Sequence, residues 1–149
     1  MKFDTAQPRL ACFVVLRRGN KIAFVLRSNT DWMNGYYGLP AGKVEVHESA
    51  AAGATREALE ETGVTIKQTD LRAVHVAHRW DGDDGYDWLD VLFEADRWEG
   101  TPFNAEPEKH SELAWLDPKN LPKNVIPSVR SYVTQIESGN LYSEYGWES

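Results

Sequence analysis

Apolar residues recur along the chain in two distinct periods, and the switches between them mark out the elements. Leu10–Leu16 is a continuous, β-branched run, the pattern of a strand buried on both faces. Arg17-Arg18-Gly19-Asn20 reads as a turn, and Ile22–Leu26 returns as the second arm of a hairpin. Ser28–Tyr37 is a polar loop carrying Trp32 and Tyr36. Leu39-Pro40-Ala41-Gly42 leads through Val44 and Val46 to a helix over Ala50–Thr62, with Ser49 as N-cap and Gly63 as its stop. Ala51, Ala54, Ala58 and Thr62 form one small-residue face, suited to close packing on a sheet. Val64–Ile66 and Leu71–Trp80 read as strands. Asp81–Gly85 is a turn, and Asp87–Ala95 is the partner strand beyond it. Ala114–Leu116 looks like a short strand, and apolar positions 126, 129, 133 and 136 predict a helix over Ile126–Ile136. Strands and helices alternate loosely, with hairpins. The class this predicts is α/β: a mixed sheet with helices on its faces, formed by one domain over residues 1–149.

The predicted central helix ends in an electrostatic oddity. Glu57 and Glu61 stand four apart on one face with Glu60 beside them, and such like-charged neighbours cost roughly 0.2–0.5 kcal/mol each. Glu60 and Glu61 also lie in the last turn, where the negative end of the helix dipole repels anions. Helix stability alone favours Lys or Arg there. A bound cation repays three carboxylates on one short arc, and oxygen ligands of this kind suit Mg²⁺ or Mn²⁺.

Composition narrows the partners. The chain of 149 residues carries a net charge of −7, so an anionic ligand requires metal or local Arg and Lys to bring it in. No basic stripe is visible, which argues against nucleic acid as a partner. No apolar run approaches the roughly 20 residues of a membrane helix, and the start of the chain lacks an apolar signal segment. The single cysteine, Cys12, cannot form an internal disulfide and points to a reducing compartment, with the cytoplasm as the expected location. Tyr142, Tyr145 and Trp147 form an aromatic tail that either covers the core or meets a second subunit, as in a homodimer.

Gly42, Glu48 and the run Arg56-Glu57-Ala58-Leu59-Glu60-Glu61-Thr62-Gly63-Val64 resemble, position by position, the signature of the Nudix hydrolase family. The resemblance implies an α/β/α sandwich and metal-dependent hydrolysis of a nucleoside diphosphate linked to another moiety. It implies that Glu57 and Glu61 are the principal metal-binding pair, with Glu57 either ligand or base and Glu60 the next ligand. The carbonyl of Ala41, where Gly is usual, is a further ligand if the backbone there suits Ala. Glu48 and Arg56 are implied as a scaffolding pair, with direct participation in catalysis as the other role open to them. His47 replaces a small residue and reads as an exposed loop side chain.

Similarity to MutT-type members extends the site. Trp98–Pro102 resembles the segment preceding an additional carboxylate, which points to Glu106, with Glu108 as the other candidate. Arg27 sits where such enzymes contact phosphate, and Lys43 is a second candidate for that work. Leu121-Pro122-Lys123-Asn124 resembles a segment whose Asn contacts the base, making Asn124 a candidate reader. Trp32, Tyr36, Trp80, Trp88 and Phe93 are candidates to stack on that base. The implied substrate is a small nucleotide: a nucleoside triphosphate, canonical or oxidised, cut to monophosphate and pyrophosphate. A nucleotide sugar or a dinucleoside polyphosphate is the alternative. A non-catalytic nucleotide-binding module on this fold typically lacks signature carboxylates, all of which are present here. An isomerase on this fold would use an active-site cysteine, for which Cys12 in a buried strand is poorly placed.

Overall fold

The computed structural model describes residues 4–147. Among these, eight strands and two α-helices follow in the order β1 (Arg9–Arg18), β2 (Lys21–Arg27), β3 (Tyr37–Gly38), β4 (Ala41–Lys43), α1 (Ala50–Thr62), β5 (Arg72–Asp81), β6 (Tyr86–Ala95), β7 (His110–Leu116), α2 (Pro127–Glu137) and β8 (Tyr142–Tyr145). The sheet runs β3-β2-β1-β6-β5-β8, with β4 beside β1 and β7 beside β2. β1 pairs with β6, and β5 with β8, in parallel; the other pairings are antiparallel. The sheet is therefore mixed.

Strand β1 explains the layering. Its alternate residues Cys12, Val14 and Leu16 pack with Ala54 and Ala58 of α1 in one core. Val15, one step out of phase, packs with Val129, Tyr132 and Val133 of α2 in the other. Burial on both faces is why this stretch is continuously apolar rather than alternating. Each such α2 side chain contributes roughly 1.5–3 kcal/mol by leaving water. The outcome is the expected α/β/α sandwich.

Helix α1 has the predicted limits. Ser49 Oγ accepts from Ala52 N at 3.1 Å, and Gly63 closes the helix at φ 75°, its N–H bonded to Leu59 O. The small-residue face lets the helix approach β1 so closely that a Cβ on Gly53 would stand 3.2 Å from Cys12 Sγ.

Two expectations need correction, and one strand lies where none was expected. Val64–Ile66 is not a strand: Thr65 alone bridges to Glu99, while Val64 and Ile66 turn into the α1 core. β7 starts at His110 rather than Ala114, because its outer half pairs with β2 as far as Arg27. Tyr142–Tyr145, whose polar alternation gave no strand signal, forms β8 on the edge of β5. Tyr145 packs on the α2 core, and Trp147 Nε1 donates to His78 O at 2.9 Å. Among the described residues no helix is long and apolar enough to cross a membrane.

Candidate active site

The last turn of α1, strand β4 and the loop before β7 converge on one cleft. Gly42 is what allows β4 to lie against the helix, since a Cβ there would overlap the Glu57 carboxylate. Next to it, Ala41 N donates to Glu61 Oε2 at 2.9 Å. Ala41 has no positive φ, so Ala is compatible with the backbone at this position. Glu61 is only 6% exposed. Burial pushes its carboxyl up to about 8, against the opposing Ala41 hydrogen bond and with the charges of Glu57 and Glu106 adding to the rise. Glu57 is raised above the ordinary carboxylate range by burial as well, although Arg56 opposes the shift. Glu60 is half exposed, and Arg56 Nη1 lies 3.4 Å from its carboxylate. The three glutamates thus differ in environment far more than in sequence.

Arg56 organises the N-terminal side of the cluster. Its Nε and Nη2 grip Glu48 at 2.8 and 3.0 Å, Nη2 also reaches Lys43 O at 3.1 Å, and Nη1 donates to Glu57 Oε1 at 2.8 Å. The guanidinium holds the Glu48 carboxyl down at about 2. A planar fork that fixes the loop to the helix while orienting Glu57 is the scaffolding geometry. His47 is exposed at φ 66°, a conformation that explains why a small residue suits this position.

Glu106 arrives through the end of the helix. Phe103 N and Ala105 N donate to Thr62 O and Glu61 O at 3.0 and 3.2 Å, occupying carbonyls that the helix leaves free at its terminus. The next residue, Glu106, then lines the cleft; Glu108 does not. Lys109 Nζ lies 3.5 Å from the Glu106 carboxylate.

Sequence reasoning missed His110. It is 3% exposed, with Nε2 at 3.7 Å from Glu61 Oε1 and a buried Nδ1 that has no hydrogen-bond partner. Burial, with the charges of Arg27 and Lys109, lowers it to about 4, so the ring is neutral at physiological pH. Its signal in the sequence is only the spacing to Glu106, and a lone His before a strand more often belongs to a core. Donor atoms of Glu61, Glu106 and His110 lie within 4.8 Å of one another. Arg56 compensates Glu48 and Glu57, whereas Glu61 has an amide N–H, a neutral ring and, as the smallest influence, the charge of Lys109. Buried carboxylates short of positive charge, beside an orphan imidazole nitrogen, fit a divalent cation.

The carboxylates line a compartment of about 600 Å³, and an aromatic compartment of about 810 Å³ adjoins it. Arg27, Asp31, Ala41, Gly42, Lys43, Glu61 and His110 border both. Arg27 is braced by Trp32 O at 2.9 Å and Thr30 Oγ1 at 3.2 Å. Of the candidate stacking residues, Trp32, Trp80 and Trp88 line the aromatic side. Phe93 packs in the α1 core, and Tyr36 lines neither compartment. Asn124 lines neither compartment: its Nδ2 donates to Gly35 O at 3.0 Å, and its backbone carbonyl accepts from Tyr37 N. The side-chain NH₂ is thus engaged in holding the loop before β3.

Comparison with known proteins agrees with this architecture. The model of the NUDIX domain matches residues 7–135. A MutT NUDIX hydrolase from Burkholderia pseudomallei superposes with a TM-score of 0.78 at 28% identity, over 87% of this chain and 98% of its own. A MutT protein from Methanosarcina mazei shares the fold at TM-score 0.75 and 17% identity, over 92% and 97% of the two chains. The chain belongs to the Nudix family. It is a Nudix pyrophosphohydrolase, an enzyme of the class that hydrolyses nucleoside diphosphates linked to a further group.

Proposed function

We propose that the enzyme is a divalent-metal-dependent hydrolase of nucleoside triphosphates, releasing the monophosphate and pyrophosphate. The observation that carries this reading is the shared wall. A carboxylate compartment and an aromatic compartment meet at Arg27 and Lys43, a layout matched to a polyphosphate joined to a planar base. Glu57, Glu60, Glu61 and Glu106, with His110 beside them, are the residues that would hold Mg²⁺ or Mn²⁺. A metal there would neutralise charge on phosphoryl oxygens and lower the pKa of a water.

The chain's own groups supply the rest. Arg27 and Lys43 attract and align the phosphates in a protein whose overall charge of −7 repels them. Arg56 fixes Glu57 through Oε1, so this carboxylate keeps one orientation in the cleft. It serves either as a ligand or as the base that takes the proton from a water attacking the α-phosphorus, as the bond from that phosphorus to the bridging oxygen breaks and pyrophosphate leaves. Trp32, Trp80 and Trp88 offer faces and edges for the base.

The test is a panel of nucleoside triphosphates, nucleotide sugars and dinucleoside polyphosphates, assayed with Mg²⁺ and coupled phosphate detection. A triphosphate as best substrate supports the reading. A sugar nucleotide or dinucleoside polyphosphate as best substrate rejects the triphosphate assignment and leaves the family activity standing.

A further inference from the structure

An ion pair beneath the aromatic compartment has no part in phosphate chemistry. Asp90 on β6 is fully buried. Arg79, on the neighbouring strand, donates to it through Nε at 2.7 Å and Nη2 at 3.1 Å, and Tyr132 of α2 donates its hydroxyl at 2.6 Å. A buried ion pair is weak support for stability, because apolar residues of similar volume serve as well. What this arrangement does accomplish is to fix a guanidinium. Register places it at the floor of the cleft: Arg79 pairs across the strands with Trp88, and Asp90 pairs with the small Ala11 on β1, which leaves room above. The Arg79 guanidinium stands 5.3 Å from the Trp88 ring centroid, and the side chain lines the aromatic compartment. Its remaining nitrogen, Nη1, makes no hydrogen bond among the described residues, and the Asp81 carboxylate lies 3.7 Å from it. The floor therefore presents a donor-only group beside an acceptor-only group.

We propose that Arg79, positioned by Asp90 and Tyr132, is the specificity-determining residue of the aromatic compartment and selects bases that present a carbonyl beside a ring N–H over their amino counterparts. The inference deepens the nucleotide reading and rests on it. Amino bases present the reverse pattern, an N–H₂ beside a ring nitrogen lone pair. With the phosphates tethered at the shared wall, exchanging the two positions would require the base to rotate about its glycosidic bond. The keto pattern puts the stronger acceptor on the cation and the more acidic N–H on the carboxylate.

Two substrate pairs of equal shape isolate this pattern: inosine triphosphate against adenosine triphosphate, and uridine triphosphate against cytidine triphosphate. The wild-type enzyme should favour the keto member of each by roughly 10- to 100-fold in kcat/KM, the discrimination typical of a well-placed charged hydrogen bond to a base edge. Arg79→Lys keeps a cation against Asp90 and loses the fork; Asp90→Asn keeps the fork and loosens its anchor. Both should collapse the ratio toward one, a readout that general destabilisation does not move. Should Asp90→Asn fail to fold, Arg79→Lys reads the same ratio. Equal kcat/KM within both pairs, an amino preference, or a keto preference unchanged in folded Arg79→Lys overturns the inference and leaves the hydrolase reading intact. Failure to cleave any nucleoside triphosphate overturns both.

Discussion

Replacing Glu61 by Gln should stabilise the metal-free protein, and do so only on the alkaline side. Glu61 is 6% exposed, and its carboxyl is raised from 4.5 to about 8, chiefly by burial. A folded-state pKa above the unfolded value means that folding favours the protonated form. The stability this provides is complete below about pH 4.5 and lost as pH rises through about 8. At about 1.4 kcal/mol per unit, the ionised side chain costs the metal-free fold on the order of 5 kcal/mol above that range. The glutamine side chain carries no charge, and its amide oxygen can still accept from Ala41 N. The variant should therefore match wild type near pH 4.5 and exceed it near pH 9. At roughly 2–4 °C per kcal/mol for a domain of this size, the gap in Tm is on the order of 10 °C. Mg²⁺ should raise the Tm of wild type more than that of the variant, because bound cation replaces the missing positive charge and acts by mass action. Calorimetry in EDTA across this pH range reads the effect. A wild type more stable than the variant at pH 9, or a gap independent of pH, would refute the view of Glu61 as a buried, uncompensated carboxylate.

Three further substitutions probe the surroundings. Gly42→Ala would drive a methyl into the Glu57 carboxylate, so kcat should fall by orders of magnitude with the far-ultraviolet circular dichroism unchanged. Glu48→Gln removes the anion that grips Arg56, and metal affinity measured by titration calorimetry should fall about 10- to 100-fold, the usual effect of losing an outer support. Asn124→Ala should lower stability by about 1 kcal/mol through the lost bond to Gly35 O and leave the ratio of kcat/KM between bases unaltered; a changed ratio would place Asn124 in base recognition.

The elements most readable in the sequence were those whose periodicity and terminal chemistry agree. Helix α1, with Ser49, Gly63 and its alanine face, is the clearest case, and the β1–β2 and β5–β6 hairpins follow their turn residues. What escaped depends on tertiary approach. Glu57, Glu60 and Glu61 are alike in the chain, and only the passage of β4 over the helix, permitted by Gly42, separates the buried from the exposed. His110 has no motif of its own; it becomes part of the cluster because residues 103–105 bond to the end of α1. Asn124 belongs to a short Pro–Asn loop whose likeness in sequence does not determine which way its amide turns. Strand β8 gains its hydrogen bonds from β5 rather than from any pattern in Tyr142–Tyr145.

Phosphorus NMR on a nucleoside triphosphate, followed with Mg²⁺, with EDTA, and with Glu57→Gln in Mg²⁺, tests the central claim most directly. Monophosphate and pyrophosphate should form readily in the first sample. Turnover should be abolished in EDTA and slowed by more than about 100-fold in the variant. Turnover undiminished in both EDTA and the variant would contradict a metal-dependent hydrolase built on these carboxylates.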